Sequence, residues 1–311
     1  MSDALVELGR GLRGLGYRFT AVTPGTQAIV NSRAATAEAR SLRDVFGWNR
    51  PFAAEILPKT VFESMRSADV LESTGAGKWR STVRFSTIDD QLFVHSAFPT
   101  DSQDAVFLGP DSVRFVNAIV RSAPRSARIA DIGCGTGVGG IVLARRGFAE
   151  GRVVLADINE SALRLARVNA ELAGVDVDLV QSDVLSNVRG ELDLVIANPP
   201  YLKDDKHRWY RDGAGEYGEG IGARMARAAL KRLGENPRGG TLLLYTGAAI
   251  VAGTDTFLAS LRADLQRANA RYEYDEVDPD VFSDELTKPA YVNVERIAAV
   301  FLQARVGPIA R

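Results

Sequence analysis

A short apolar run that breaks into glycine limits the fold more than any other feature of this sequence. Arg128 to Ile132 reads as a strand, and Asp131-Ile-Gly-Cys-Gly-Thr-Gly-Val-Gly-Gly140 carries it straight into a helical pattern. Glycines at 133, 135 and 137 let the chain turn tightly and let backbone approach a ligand without a Cβ in the way. The helix that follows presents free N–H groups at its start. The same cadence recurs downstream. Arg152 to Ala156 runs into Asp157, and Val177 to Val180, Leu192 to Ala197 and Thr241 to Tyr245 repeat the theme, while a helix from Ser161 to Ala173 stops at Gly174. Strands alternating with helices imply a parallel sheet covered on both faces. Arg271 to Val277 and Arg296 to Ala304 complete that sheet, so the expected fold is α/β and Rossmann-like.

Residues 1–100 read differently, as helices followed by a hairpin. Ala34 to Phe46 places Leu42, Val45 and Phe46 at helical spacing until Asn49-Arg-Pro breaks the pattern. Pro58 opens a second helix with Val61, Phe62 and Met65 on one side, and Ser73 to Lys78 reads as a loop. Val83, Phe85 and Ile88, then Leu92 and Val94, flank Asp89-Asp90-Gln91 as two strands around a tight turn. This is the outline of a winged-helix module. It divides the chain into a cap or substrate-recognition region at 1–100 and a catalytic region at 101–311.

Composition removes several classes of function. No apolar run approaches the roughly 20 residues of a membrane helix, and Met1 to Arg10 carries no export signal. Cys134 is the single cysteine, which excludes an intrachain disulfide and fits a reducing compartment. With only His95 and His207 beside it, no Cys/His metal site is expected. A net charge of -1 advertises no global attraction to nucleic acid. A cytoplasmic enzyme or binding protein is the expectation.

Asp157 stands 20 positions after Gly137, where a carboxylate can bind two ribose hydroxyls. Asp183, after the third strand, sits where a side chain could accept from an adenine amino group. Gly135, Gly137 and Gly140 also satisfy G-x-G-x-x-G, so an NAD(P)-dependent oxidoreductase is the alternative. No hydride-relay His or Lys follows in an obvious place. Asn198-Pro-Pro-Tyr201 ends the fourth strand, at the sheet edge where open α/β folds bind ligands.

Together, D-x-G-x-G-x-G and Asn198-Pro-Pro-Tyr201 resemble the class I S-adenosylmethionine (SAM) dependent methyltransferases of the methyltransferase small domain group. That group includes release-factor glutamine, ribosomal RNA guanine-N2 and adenine-N6 enzymes. The likeness covers about residues 105–250 and includes Glu160 to Gly174, where Asn169-Ala170 matches the helix after the ribose-binding acid. It implies a seven-stranded sheet, SAM as cofactor, and Asp131, Gly133, Cys134, Gly135, Gly137, Asp157, Ile158, Asp183 and Asn198 around it. It also implies transfer to a delocalised nitrogen of a protein glutamine or an RNA or DNA base, with a small metabolite as the alternative acceptor. Such a nitrogen is a poor nucleophile. The Asn198 side-chain oxygen and the Pro199 carbonyl can each accept one N–H from it, Pro199 and Pro200 fix φ, and Tyr201 offers a flat face. Leu108 to Phe115 departs from the Arg-Pro-Glu-Thr-like stretch usual in the glutamine enzymes. The polar loop from Leu202 to Gly222 is expected to cover the acceptor, with Trp209 or Tyr210 touching it and His207 available as a proton acceptor.

Overall fold

The structure is a computed structural model and describes residues 2–33 and 37–307. The N-terminal part contains α1 (Ser2–Gly14), α2 (Pro24–Asn31), α3 (Leu42–Phe46), β1 (Phe52–Ala53), α4 (Lys59–Ser67), β2 (Leu71–Gly75), β3 (Lys78–Ser81), β4 (Val83–Ile88) and β5 (Gln91–Ser96). The helix expected over 34–46 is reduced to α3, because Ser41 caps it by accepting from Asp44 N. Ala34 to Thr36 lie outside the described residues. The loop expected at 73–78 is instead a hairpin: β2 and β3 pair antiparallel, with β1 on the other side of β3. The hairpin β4–β5 turns where Asp89 and Asp90 adopt left-handed backbone, with Ile88 opposite Gln91.

The second part holds α5 (Pro110–Ser122), β6 (Ile129–Ile132), α6 (Val138–Arg145), β7 (Val153–Asp157), α7 (Glu160–Ala173), β8 (Val177–Gln181), β9 (Leu194–Ala197), α8 (Gly220–Gly234), β10 (Gly240–Val251), β11 (Thr254–Asp255), α9 (Thr256–Arg267), β12 (Arg271–Asp278) and β13 (Arg296–Val306). Its sheet runs β12-β13-β10-β9-β6-β7-β8, with β11 paired to β10. The strands from β10 through β9, β6 and β7 to β8 are parallel, and β13 is antiparallel to both neighbours. Side chains alternate across each strand. Ile129, Val153, Leu155, Leu194 and Ile196 face α5, α6 and α7, whereas Ala130, Val154, Val195 and Ala197 face α8 and α9. Both faces are therefore buried, as a parallel sheet requires. Among the described residues no helix is long and apolar enough to cross a membrane.

Helix α7 belongs to both parts. Ala166 and Ala170 pack into the sheet core, while Val168 and Leu172 join Leu8, Leu12, Phe46, Phe52, Met65 and Phe85 in the N-terminal core. Gly9 of α1 lies so near Leu172 that a Cβ there would come within 2.7 Å of its Cδ1. Asn169 makes the polar joint. Its Oδ1 accepts from Val94 N at 2.7 Å, and its Nδ2 donates to Val94 O at 3.1 Å and to Thr136 O at 3.0 Å. Asn169→Ala strands these three fully buried backbone groups and should cost about 3 kcal/mol, read as a lowered urea midpoint. A change within about 0.5 kcal/mol would remove Asn169 from that role.

Candidate functional site

Strand register decides what meets at the sheet edge. Ile132 lies beside both Ala197 and Ala156, so Gly133, Asn198 and Asp157 leave three adjacent strands side by side. The glycine turn follows in left-handed backbone at Gly133 (φ 65°), Gly135 (φ 54°) and Gly137 (φ 76°). Gly137 caps α6, and a Cβ there would approach Leu155 Cδ1 to 2.9 Å. Both conformation and space therefore demand glycine.

Three buried polar side chains hold this turn. Asp131 Oδ2 accepts from Gly140 N at 2.8 Å, Asp157 Oδ2 accepts from Gly135 N at 2.8 Å, and Asn169 binds Thr136 O. Burial raises the Asp131 carboxyl to about 7, against the pull of the Gly140 N–H and with help from the nearby Asp157 charge. Burial also raises Asp157, opposed by N–H groups from Asn159 and Gly135. Cys134 is a buried thiol pushed upward by burial and by both carboxylates, so it stays protonated.

A cavity of about 440 Å³ opens here. Asp131, Gly133, Cys134, Gly135, Asp157, Ile158, Asp183 and the whole of Asn198-Pro-Pro-Tyr201 line it. Ile158 stands half exposed at the rim. Asp183 accepts from Arg224 at both oxygens, at 2.8 and 2.6 Å, so the carboxylate is held in an ion pair while each oxygen keeps a second lone pair. Asn198 is the opposite case. Its side chain and the Pro199 carbonyl make no hydrogen bond among the described residues, which leaves two acceptors open at the cavity wall. Pro199 itself packs against Gly222. The Tyr201 ring is clasped by the Gly247 backbone and stands edge-on to Phe282, at 5.8 Å between centroids, so it is a fixed wall. Its buried hydroxyl has no hydrogen-bond partner.

The loop after the tetrapeptide is latched rather than loose. Tyr210 stacks on Phe107 at 5.2 Å and bonds Thr100 Oγ1 through its hydroxyl at 2.8 Å, while Trp209 remains 42% exposed. Of the two aromatics expected to touch an acceptor, Trp209 is the more open one. His207 is exposed and meets Asp212 Oδ2 at 2.7 Å. The latch is a cluster that no local sequence pattern announces. Buried Asp204 accepts three bonds from Arg208, one from its backbone N–H at 3.0 Å and two from its guanidinium at 2.9 and 2.5 Å, and Arg211 reaches both Asp204 and Glu285. Burial alone would raise Asp204, but the Arg208 bonds and both guanidinium charges bring it down to about 2. Met225 and Arg224 of α8, and Phe107 and Phe282, also line the cavity.

Residues 112–235 match the family model for the Methyltransferase small domain. This part of the chain is similar to the methyltransferase small domain. It is 39% identical over 75 residues to the release factor glutamine methyltransferase of Deinococcus radiodurans, covering 24% of this chain and 27% of that protein. It is 38% identical over 78 residues to the ribosomal RNA small subunit methyltransferase C of Sodalis glossinidius, covering 25% of this chain and 22% of that one. The chain thus spans about a quarter of the length of these curated relatives. In fold it is similar to M. jannaschii TYW2 in complex with AdoMet, with a TM-score of 0.50 and 14% identity over 73% of this chain and 87% of that one. The α/β sheet is the class I methyltransferase fold.

The raised Asp131 carboxyl gives the chain a signed pH dependence of stability. Its folded value of about 7 exceeds the ordinary carboxylate value near 4, so the native state holds a proton that the unfolded chain releases. Stability should fall as pH rises from about 4 to about 7 and level off above that. Chemical denaturation across that range should show this slope, and Asp131→Asn should flatten it. An unchanged slope in the variant assigns the dependence to other groups.

Proposed function

We propose that the chain is a SAM-dependent N-methyltransferase acting on a planar amide or amine nitrogen of a protein or RNA. The observation that carries this reading is the meeting, in one cavity, of the glycine turn, the Asp157 carboxylate and the unengaged Asn198 amide. The residues fit the cofactor. The cavity falls in the roughly 300–1,000 Å³ range of small-molecule sites. A Cβ at Gly135 would meet only open space, so bare backbone faces the cavity. Each Asp157 oxygen accepts one backbone N–H and keeps a second lone pair for a ribose hydroxyl.

SAM supplies a methyl carbon already activated on sulfonium. The chain's own work is then positioning, an effect that can lower a barrier by roughly 7–11 kcal/mol. Asn198 Oδ1 and the Pro199 carbonyl accept the two N–H bonds of the acceptor, returning density to its nitrogen and fixing the direction of its lone pair. Pro199 and Pro200 keep those acceptors still. No strong base is needed, because the nitrogen proton becomes acidic once the methyl is attached. Cys134, Ile158 and Met225 enclose the cofactor, with Asp183 reached through its Arg224 pair. Residues 1–100 act as a substrate-recognition cap over the catalytic region 101–311. Trp209, on the loop latched by Asp204, is the aromatic that contacts the acceptor. A cytoplasmic location belongs to the same reading.

The test is methyl-labelled SAM incubated with cell extract that is then split into protein, RNA and metabolite fractions. Label should appear in protein or RNA, and Asn198→Ala should lower its rate roughly 10²–10³-fold while S-adenosylhomocysteine still binds. Thermal stabilisation by NAD(P) but not by S-adenosylhomocysteine would defeat the proposal.

A further inference from the structure

A short segment ahead of α5 joins the two sides of the crevice. At one end Thr100 meets the loop after the tetrapeptide: its carbonyl accepts from Arg208 at 3.2 Å, and its hydroxyl pairs with that of Tyr210 at 2.8 Å. At the other end Val106 is fastened to Ser96 of β5, its N–H donating to the Ser96 hydroxyl at 2.9 Å and its carbonyl accepting from Ser96 N at 2.9 Å. Between these anchors lies a turn, in which Ala105 N donates to Ser102 O at 3.2 Å. Gln103, Val106 and Phe107 line the same cavity as Asp157 and Asn198.

Two adjacent carbonyls of that turn are bound from opposite sides of the crevice. Gln103 O accepts from Trp209 N at 3.1 Å on the acceptor side, and Asp104 O accepts from Asn159 Nδ2 at 2.9 Å on the cofactor side. Asp104 reaches the cofactor side a second time, where its Oδ2 accepts from the Ser161 hydroxyl at 2.6 Å. The Ser161 and Ser102 hydroxyls pull this carboxyl below its ordinary value, so it is a charged acceptor at neutral pH. Asn159 belongs in turn to the Asp157 corner. Its N–H donates to Asp157 Oδ1 at 2.9 Å, and its Oδ1 accepts from Ser161 N at 2.9 Å to cap α7. An unbroken run leads from the Asp157 carboxylate through Asn159, Asp104 and Gln103 to the Trp209 amide. Residues 101–104 are exposed, so hydrogen bonds rather than burial hold the turn. Such a segment opens at little cost unless both attachments hold.

Resting on the methyltransferase reading, we propose that the Gln103–Asp104 peptide ties the cofactor half of the site to the acceptor loop, with Asp104 as its positioning residue. A ribose on Asp157 steadies Asn159 and the start of α7. Asp104 carries that order to Gln103, and Gln103 holds the Trp209 amide. Order imposed at one end lowers the entropy still to be lost at the other, and the coupling is reciprocal. The cofactor thereby sets the loop that the acceptor meets.

The experiment is hydrogen exchange of the full chain with and without saturating S-adenosylhomocysteine, read by mass spectrometry across residues 205–212. In the wild type the ligand should slow exchange there roughly fivefold or more. Asp104→Ala, still saturated, should lose most of that slowing, whereas Asp104→Asn, which keeps an oxygen for Ser161, should retain it. Ser161→Ala should match Asp104→Ala, and the double variant should be no worse than either. Three results would overturn the tie: no slowing in the wild type despite binding, full slowing in saturated Asp104→Ala, or losses that add in the double variant. Each leaves the methyltransferase reading standing. Failure to bind S-adenosylhomocysteine at all strikes that reading instead, and the tie falls with it.

Discussion

Residues 133–140 reverse the chain through left-handed backbone, and three buried polar side chains, Asp131, Asp157 and Asn169, hold the reversal in place. Each comes from a different element: β6, the end of β7, and α7. The turn is thus tied to its own strand, to the neighbouring strand and to the helix beyond it. Burying two carboxylates side by side is costly unless their lone pairs are filled. Here backbone N–H groups fill part of them, and Asp131 sheds the rest of the cost by holding its proton to about pH 7.

Asn169 extends that knot into the N-terminal part. The side chain that binds Thr136 in the turn also closes on both polar groups of Val94 in β5. Helix α7, packed by the N-terminal core on one side and the sheet core on the other, carries the load between them. The N-terminal part is therefore fixed relative to the cavity. On the far side of the crevice, the Asp204–Arg208–Arg211–Glu285 cluster pins the loop that follows the tetrapeptide. Breaking one partner of so buried a cluster leaves an uncompensated charge, so these pairs tie down a loop that has little regular secondary structure.

The sheet and the turn were legible in the sequence because both rest on local rules. Apolar runs ending in an acid, glycines at fixed spacing and helical periodicity located the parallel strands β6 to β9 to within a few residues and the start of β10, which runs six residues past the expected end at Tyr245, and strand adjacency brought Asp131, Asp157 and Asn198 into one cavity. What escaped depends on distant partners. Nothing near Asp183 announces that Arg224 of α8 will pair with it, and nothing near Asp204 announces Glu285. Tyr201 reads as a free platform until Gly247 of β10 is seen pressing on its ring. The hairpin β2–β3 hid behind two glycines that read as loop, though they supply its turn. The helix expected at 34–46 was shortened by a serine cap at position 41 that periodicity alone overrode.

Under the proposed function, the one Asp157 carboxylate that holds the glycine turn also holds a ribose. Calorimetric titration of S-adenosylhomocysteine into the wild-type chain and into Asp157→Ala tests it most directly, with circular dichroism confirming that the variant is folded. Binding to the wild type should saturate, and affinity should be at least roughly 100-fold weaker in the folded variant, since two hydrogen bonds to a charged group are lost. Equal affinity in the two proteins would contradict it.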